Sequence, residues 1–323
     1  MFILIQGGTL MNVKRILAIG CIFLLTCGGW LILGTSTKMR SMNFSQRLGG
    51  MVENLYGTAL VQQAPSFAVQ IPGTDQVRWL MPSKNDITVN LMKDYRKKGL
   101  IWYSTYQCAF NGAYTITNTD ETSLKVRIHF DFPAKGGTYD NYSIRLDDEP
   151  LMVPIDTQSG VDEIIELPVG TSKTFQISYY TRGLGEWRYK LDSNLGRVRN
   201  FTLKVQTDFT NFDYPDGGWS ATSTEKAEQG MLLTWDTTDL ITGQHIGVIV
   251  PEKLNPGPLT SRITYFAPVC LIFFFVLVMT INVLYKVNIH PMHYLFVAAG
   301  FFAFHLLLSY LVGILNIHIS FID

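Results

Sequence analysis

Histidines near the C-terminus are the residues with the clearest chemical potential in this sequence of 323 residues. His290 and His293 are three positions apart, so a helix would place both imidazoles on one face, as in some metal sites. Pro291 between them is typical of a helix start, where polar side chains are expected in any case. Cys, Asp and Glu are absent from the neighbouring positions. We therefore expect neither a metal nor another cofactor here.

His305 differs because it lies in the middle of an apolar stretch, Phe-Phe-Ala-Phe-His-Leu-Leu-Leu. An ionisable side chain inside a membrane span normally faces other helices rather than lipid. Interhelical bonding is the first interpretation. The alternative is a transporter-like protein that handles a proton or ligand with His293 and His305. With Pro291 and Tyr294, the three histidines are the candidate functional or interhelical residues, and we expect no catalytic residue among them.

The histidines belong to a segment that must be helical. Residues 263–285 and 293–315 are apolar, and each has about the 20 residues that a helix needs to cross roughly 30 Å of hydrocarbon. The short connection 286–292 predicts an antiparallel transmembrane hairpin. A third apolar run, 16–33, predicts an uncleaved signal-anchor helix.

Basic residues set the expected orientation. Lys14 and Arg15 precede the first apolar run, which favours a cytoplasmic segment 1–15. The chain between the first and second spans is then extracytoplasmic, the connection 286–292 is cytoplasmic, and the tail 316–323 follows the third span. This topology predicts a multi-pass protein of a bacterial inner membrane.

Alternation of apolar and polar residues predicts strands in residues 83–255. In the clearest example, Lys125, Arg127 and His129 alternate with apolar residues, which predicts one buried and one solvated face. The apolar positions of four such strands are Val126, Ile128, Phe130 and Phe132; Tyr142, Ile144 and Leu146; Phe175, Ile177 and Tyr179; and Phe201, Leu203, Val205 and Phe209. Turn signals between them favour an all-β, sandwich-like domain. Residues 34–82 are expected to be a juxtamembrane linker, and the proline-rich residues 256–262 a second linker.

Composition and motifs exclude several classes of function. Lys plus Arg and Asp plus Glu number 26 each, so no overall charge favours a nucleic acid partner. The sequence contains no Gly-x-Ser-x-Gly, His-Glu-x-x-His, phosphate-loop or Cys-x-x-Cys motif. We therefore expect a protein that is not an enzyme. The aromatic group Trp102, Tyr103 and Tyr106 would suit a glycan or lipid, although a core role is the favoured interpretation.

The sequence from Asn288 to Leu311 resembles the helical signature of the bacterial inner-membrane CreD family, most specifically at His290-Pro291, Tyr294 and His305. The Leu254-Asn-Pro-Gly-Pro-Leu and Gly170-Thr-Ser-Lys-Thr-Phe stretches are also similar. The resemblance implies an association with colicin tolerance and an envelope-stress regulon, without established catalytic residues. It also implies further C-terminal helices, so the chain looks shortened and partner transmembrane helices would be missing from it.

The expected protein combines these parts. It has an N-terminal transmembrane helix, a large extracytoplasmic β-domain and a C-terminal helical hairpin. Its expected partners are the lipid bilayer and a protein, lipid or cell-wall component bound by the β-domain in support of envelope integrity. A small-ligand sensor is a further alternative.

Overall fold

The computed structural model describes residues 13–71, 76–99, 101–191, 197–285 and 289–311. The chain divides into two compact units. The helical unit comprises Met1–Gly49, Gly99–Ile101 and Leu254–Asp323, and the β unit comprises Gly50–Lys98 and Trp102–Lys253. Predicted segments that lie wholly or partly outside the described residues are 1–15, 34–82, 83–255, 286–292, 293–315 and 316–323.

The described residues form three helices, α1 (Val13–Tyr56), α2 (Pro256–Tyr285) and α3 (Pro291–Leu311). Each is long and apolar enough to cross a membrane. They flank a large β-rich domain, so the predicted fold class, an N-terminal helix, a β-domain and a C-terminal helical hairpin, is confirmed.

Both predicted linkers contain regular structure. Residues 34–56 continue α1, because no proline interrupts them and Met, Arg, Gln, Leu and Glu favour helix. The helix ends at Gly57, which has a φ of 102° and donates its N–H to the carbonyl of Glu53. Residues 256–262 are the first turns of α2, where Pro256 and Pro258 are tolerated since the first N–H groups of a helix lack intrahelical partners.

Small residues let the helices of the helical unit approach closely. A Cβ added at Gly34 would lie 2.9 Å from the ring of Tyr265, and one at Gly29 would lie 3.1 Å from Phe302. Ser261 also donates its hydroxyl to the carbonyl of Gly34 at 3.0 Å. Close approach through small residues with polar bonds across the interface is the usual way that helices associate in lipid.

The β unit contains eighteen strands in the residues described. In chain order they are β1 Leu60–Gln63, β2 Ser66–Gln70, β3 Val77–Trp79, β4 Lys84–Lys93, β5 Arg96–Lys98, β6 Ile101–Tyr103, β7 Thr105–Thr117, β8 Leu124–Phe130, β9 Asp140–Leu146, β10 Glu149–Pro150, β11 Val161–Leu167, β12 Ser172–Leu184, β13 Glu186–Lys190, β14 Val198–Thr207, β15 Gly218–Trp219, β16 Ser223–Lys226, β17 Met231–Leu240 and β18 His245–Ile249. Three strands, β1 to β3, fall inside the predicted linker 34–82, which is therefore wrong for residues 60–63, 66–70 and 77–79.

The strands form one large sheet, two smaller sheets and a hairpin. The large sheet has the order β10-β9-β12-β7-β4-β14-β17-β16, and the small sheets have the orders β11-β8-β2-β3 and β1-β13-β18-β15. The β5–β6 hairpin stands apart from them. Most strand pairs are antiparallel, whereas β1–β13, β4–β14 and β15–β18 are parallel.

All three sheets contribute to one core. The alternation predicted in β8 is observed, since Val126, Ile128 and Phe130 are buried while Lys125 and Arg127 are exposed. Aromatic contacts join the small sheets to the large one, for example Phe130 with Phe175 and Tyr189 with Phe201.

Gln62 lies where the three sheets meet. Its side chain is fully buried in β1. Its amide nitrogen donates to the carbonyl of Asp131, just after β8, at 3.0 Å and to that of Gln63 at 2.7 Å. Its amide oxygen accepts the hydroxyl of Tyr179 in β12 at 2.5 Å. One amide thus connects a strand of each sheet or its immediate continuation.

Candidate functional site

His305 lies in an aromatic environment within the helical unit. It is 4% exposed, and its ring centroid is 5.8 Å from Trp30 of α1 and 4.8 Å from Phe301. Nδ1 lies 2.8 Å from the carbonyl of Phe301. Because a carbonyl only accepts, Nδ1 carries the proton in this bond. The contact with Trp30 joins α3 to α1, whereas the hydrogen bond to Phe301 stays within α3. The interhelical bonding role of His305 stays a prediction.

His290 and His293 occupy a different environment. Both are exposed. His290 caps the start of α3, because its Nδ1 accepts the N–H of Met292 at 3.3 Å and its carbonyl accepts the N–H of His293 at 3.0 Å. Pro291 is the first residue of α3, as its type predicts. The described residues contain no group of three His, Cys, Asp or Glu side chains arranged for a metal ion.

The five candidate residues do not form one site. Tyr294 is 2% exposed and packs edge-to-face on Phe275 of α2 at 5.1 Å. His293 and His305 are twelve positions apart on α3, or about 18 Å along the axis at 1.5 Å per residue. One is exposed and the other is buried, so the structure does not bring them together.

A cleft in the β unit combines more chemical groups. It lies on the outer face of the β11-β8-β2-β3 sheet and has a volume of about 430 Å³, within the usual size range of small-ligand sites. Its lining comprises Ser66, Ala68, Gln70, Val77, Trp79, Lys125, Arg127, His129 and Ile164. We call this site the cleft.

Strand register explains the shape of the cleft. Ala68 in β2 pairs with Trp79 on one side and Arg127 on the other, and Arg127 pairs with Ile164 in β11. One row across the sheet therefore holds an indole, a methyl group, a guanidinium and an aliphatic side chain. The small Ala68 forms the floor between two long side chains. Trp79 is 40% exposed and Ile164 65%, so both present apolar surface to a ligand.

Charged groups along one wall of the cleft are held in place by each other. Arg127 donates Nε–H to Asp162 at 2.8 Å. His129 lies between Asp162 and Asp131, with ring nitrogens 3.1 Å and 3.4 Å from the carboxylates. Burial alone raises the pKa of Asp162, but the hydrogen bond from Arg127 and the neighbouring His129 together lower it. The bond to Asp162 uses only Nε, which leaves the terminal nitrogens of Arg127 able to donate to a ligand.

The aromatic residues Trp102, Tyr103 and Tyr106 differ in their burial. Tyr106 is fully buried and donates its hydroxyl to the Glu186 carbonyl at 2.6 Å. Tyr103 is also buried, whereas Trp102 is partly exposed. The favoured core role thus holds for the two tyrosines.

Residues 217–322 match the family model of the inner membrane protein CreD. The chain is CreD-like. The match covers about a third of the chain, from β15 to beyond α3, and includes His290, Pro291, Tyr294 and His305. The predicted resemblance is confirmed, and together with the three apolar helices it supports an inner-membrane protein. The helices consequently contact the lipid bilayer.

Comparisons of whole proteins give only weak likeness. No curated protein sequence matches this CreD-like chain. A Legionella pneumophila crystal structure described as a nutrient binding protein has 10% identity and a TM-score of 0.36, covering 66% of this chain and 76% of that one. An M1 zinc metallopeptidase from Deinococcus radiodurans has 10% identity and a TM-score of 0.34, covering 53% of this chain and 42% of that one.

The sequence predicted the residues that β8 contributes to the cleft but not those of β2 and β3. The alternation in β8 placed Arg127 and His129 on the solvated face, where they are. Trp79 and Ala68 lie in the segment expected to be a linker, so their contribution was missed. The available signal was the alternation of the large apolar Phe67 and Val69 with Ser66, Ala68 and Gln70, which is too short to predict a strand by itself.

Proposed function

We propose that this CreD-like protein holds the β unit on the extracytoplasmic side of the inner membrane, where the cleft binds an acidic glycan of the cell envelope. The observation that carries the proposal is the row Trp79–Ala68–Arg127–Ile164 across an exposed sheet. The proposed activity is binding without turnover.

The apolar side of the cleft suits a sugar ring. The C–H face of a pyranose is apolar, and burying it against an indole removes apolar area from water, at about 25 cal/mol per Å². Trp79 supplies that surface, and Ala68 beside it leaves room for a ring. Gln70 and Ser66 line the same space and can exchange hydrogen bonds with sugar hydroxyls.

The cationic side of the cleft suits a carboxylate. Lys125 and Arg127 project from β8 into the lining, and a charge-assisted bond to an anion is about twice as strong as a neutral one. Peptidoglycan fragments carry both features, since their muramyl sugar rings bear stem peptides with free carboxylates. They are the acidic glycan we propose.

Binding of muramidase-released peptidoglycan fragments to the full-length protein in detergent tests the proposal. Calorimetry should detect binding to the wild type. Trp79→Ala and Arg127→Gln should each weaken it by about tenfold, the loss of roughly 1.4 kcal/mol. Ala68→Leu should also weaken it, because the larger side chain fills the floor of the cleft.

Matched variants separate the cleft from general surface effects. Tyr180 is an exposed aromatic residue of β12, in the large sheet, so Tyr180→Ala should bind as the wild type does. Neutral chitooligosaccharides should bind more weakly than the acidic fragments. Equal binding by Trp79→Ala and Tyr180→Ala would exclude the cleft as the glycan site.

The proposal extends to envelope integrity. Cells that carry Trp79→Ala should become as sensitive to detergent or colicin as cells that lack the protein, at equal protein levels. Cells with Tyr180→Ala should resemble wild-type cells. Full resistance of the Trp79→Ala strain would separate glycan binding from the envelope phenotype.

A further inference from the structure

A second cationic cluster lies outside the cleft, where Lys253 contacts the β5–β6 hairpin. The ammonium of Lys253 lies 3.6 Å from the centroid of the Trp102 indole, and that of Lys97 lies 5.8 Å from it. Attraction between a cation and the face of an aromatic ring holds each ammonium in place. Two lysines from distant parts of the sequence therefore share one indole.

Neighbouring charges leave this pair of lysines with a net positive field. Arg96 on the same hairpin is bonded to Asp94 at 2.6 Å and lies over the Tyr56 ring at 5.5 Å, so it is already engaged. Among the described residues, Lys97 and Lys253 make no salt bridge to a carboxylate within 4.0 Å. Glu252, the residue before Lys253 in the sequence, is exposed and carries one opposing charge.

The chain itself places Lys253 near a membrane surface. Only Leu254 and Asn255 separate it from Pro256, the first residue of α2. The 30 residues of α2 extend about 45 Å at 1.5 Å per residue. That length equals the roughly 40–45 Å thickness of a bilayer with its headgroups. When α2 spans the bilayer, its first residue lies at the level of the headgroups, within reach of a lysine side chain.

The geometry points to a lipid site: we propose that Lys97 and Lys253, positioned by Trp102, bind the phosphate of an anionic phospholipid headgroup. An indole beside the headgroups is typical of membrane interfaces, and each lysine near an anionic surface adds attraction. The proposal rests on α2 as a membrane span and does not depend on the ligand of the cleft.

Native mass spectrometry of the full-length protein in detergent tests the site, with dioctanoyl phosphatidylglycerol as the anionic probe and dioctanoyl phosphatidylcholine as the zwitterionic one. The wild type should retain the anionic lipid at least about tenfold better than the zwitterionic lipid. The double variant Lys97→Gln with Lys253→Gln should lose that preference. Gln keeps two of the four methylene groups of Lys and removes the charge, so it tests the charge with a smaller loss of side-chain bulk than Ala would cause.

Two controls make the outcome decisive. Lys204→Gln with Lys226→Gln removes two exposed lysines from β14 and β16 and should keep the preference, as should the double replacement of Lys97 and Lys253 by Arg. A Lys97→Gln, Lys253→Gln protein that melts like the wild type and retains its lipid preference would overturn the proposal. Inorganic phosphate binding at these lysines as tightly as the lipid would overturn it too. Glycan binding measured on the same proteins reports separately on the cleft.

Discussion

Replacement of Gln62 by Leu removes the amide at the junction of the three sheets while nearly conserving side-chain volume. The change leaves the buried hydroxyl of Tyr179 and the carbonyl of Asp131 without the partners they have in the wild type. An unsatisfied buried polar group costs about 1–3 kcal/mol. Two such groups predict a loss of about 3 kcal/mol in the free energy of unfolding.

Thermal unfolding of the full-length protein in detergent, followed by tryptophan fluorescence, measures this loss. For a domain of this size 1 kcal/mol lowers Tm by about 2–4 °C, so Gln62→Leu should lower the β unit transition by about 6–12 °C. Tyr179→Phe leaves only the Gln62 oxygen unpaired and should lower it by about 3–6 °C.

The double variant provides the refutation. In the double variant the Tyr179 hydroxyl is gone as well, so only the Asp131 carbonyl is left without its partner. Gln62→Leu with Tyr179→Phe should therefore cost less than the sum of the single changes. Gln107 is exposed on β7, and Gln107→Leu should change Tm by no more than about 2 °C. Additive effects, or a Gln62→Leu shift as small as that of Gln107→Leu, would refute the account of this junction.

Other predictions concern single side chains. Burial and then the charges of Arg188 and Lys190 lower the pKa of His245. Its neutral form is favoured on folding, so stability should fall as the pH drops below about 6.5. His245→Gln should flatten that part of a pH–Tm curve, and an unchanged slope would contradict the role of His245. Burial raises the pKa of the fully buried Cys108 thiol, so maleimide should label it only in denaturant, and rapid labelling of the native protein would contradict this burial. His305→Phe should change the free energy of unfolding by less than about 1.5 kcal/mol. His305→Ala opens a cavity and should lower the free energy of unfolding by more than that. Equal stability of the two variants would contradict a packing role for His305.

The helices were predictable because length and hydropathy alone determine whether a segment can span a bilayer. The first residues of these helices were harder to predict. Pro256 and Pro258 indicated a linker, although proline is equally suited to the first turn of a helix, and only the chain beyond them decides between the two.

The strands also differ in how well the sequence predicts them. β8 shows seven residues of strict alternation and was predictable from sequence alone. β1 and β2 have four and five residues, and their partners β13 and β8 lie far along the chain. Such pairing depends on tertiary contacts that local sequence does not encode. Trp79 and Ala68 therefore could not be assigned to the cleft.

The position of the β unit relative to the membrane is the most direct test of the account. Single cysteines at Lys190 in β13 and at Val287, between α2 and α3 in sequence, can be introduced after the native cysteines are replaced. Whole cells are then treated with a thiol reagent that crosses the outer but not the inner membrane. We expect labelling of Lys190→Cys in intact cells and of Val287→Cys only after the inner membrane is permeabilised. Labelling of Val287→Cys with protection of Lys190→Cys would place the β unit in the cytoplasm and contradict the binding of an envelope glycan.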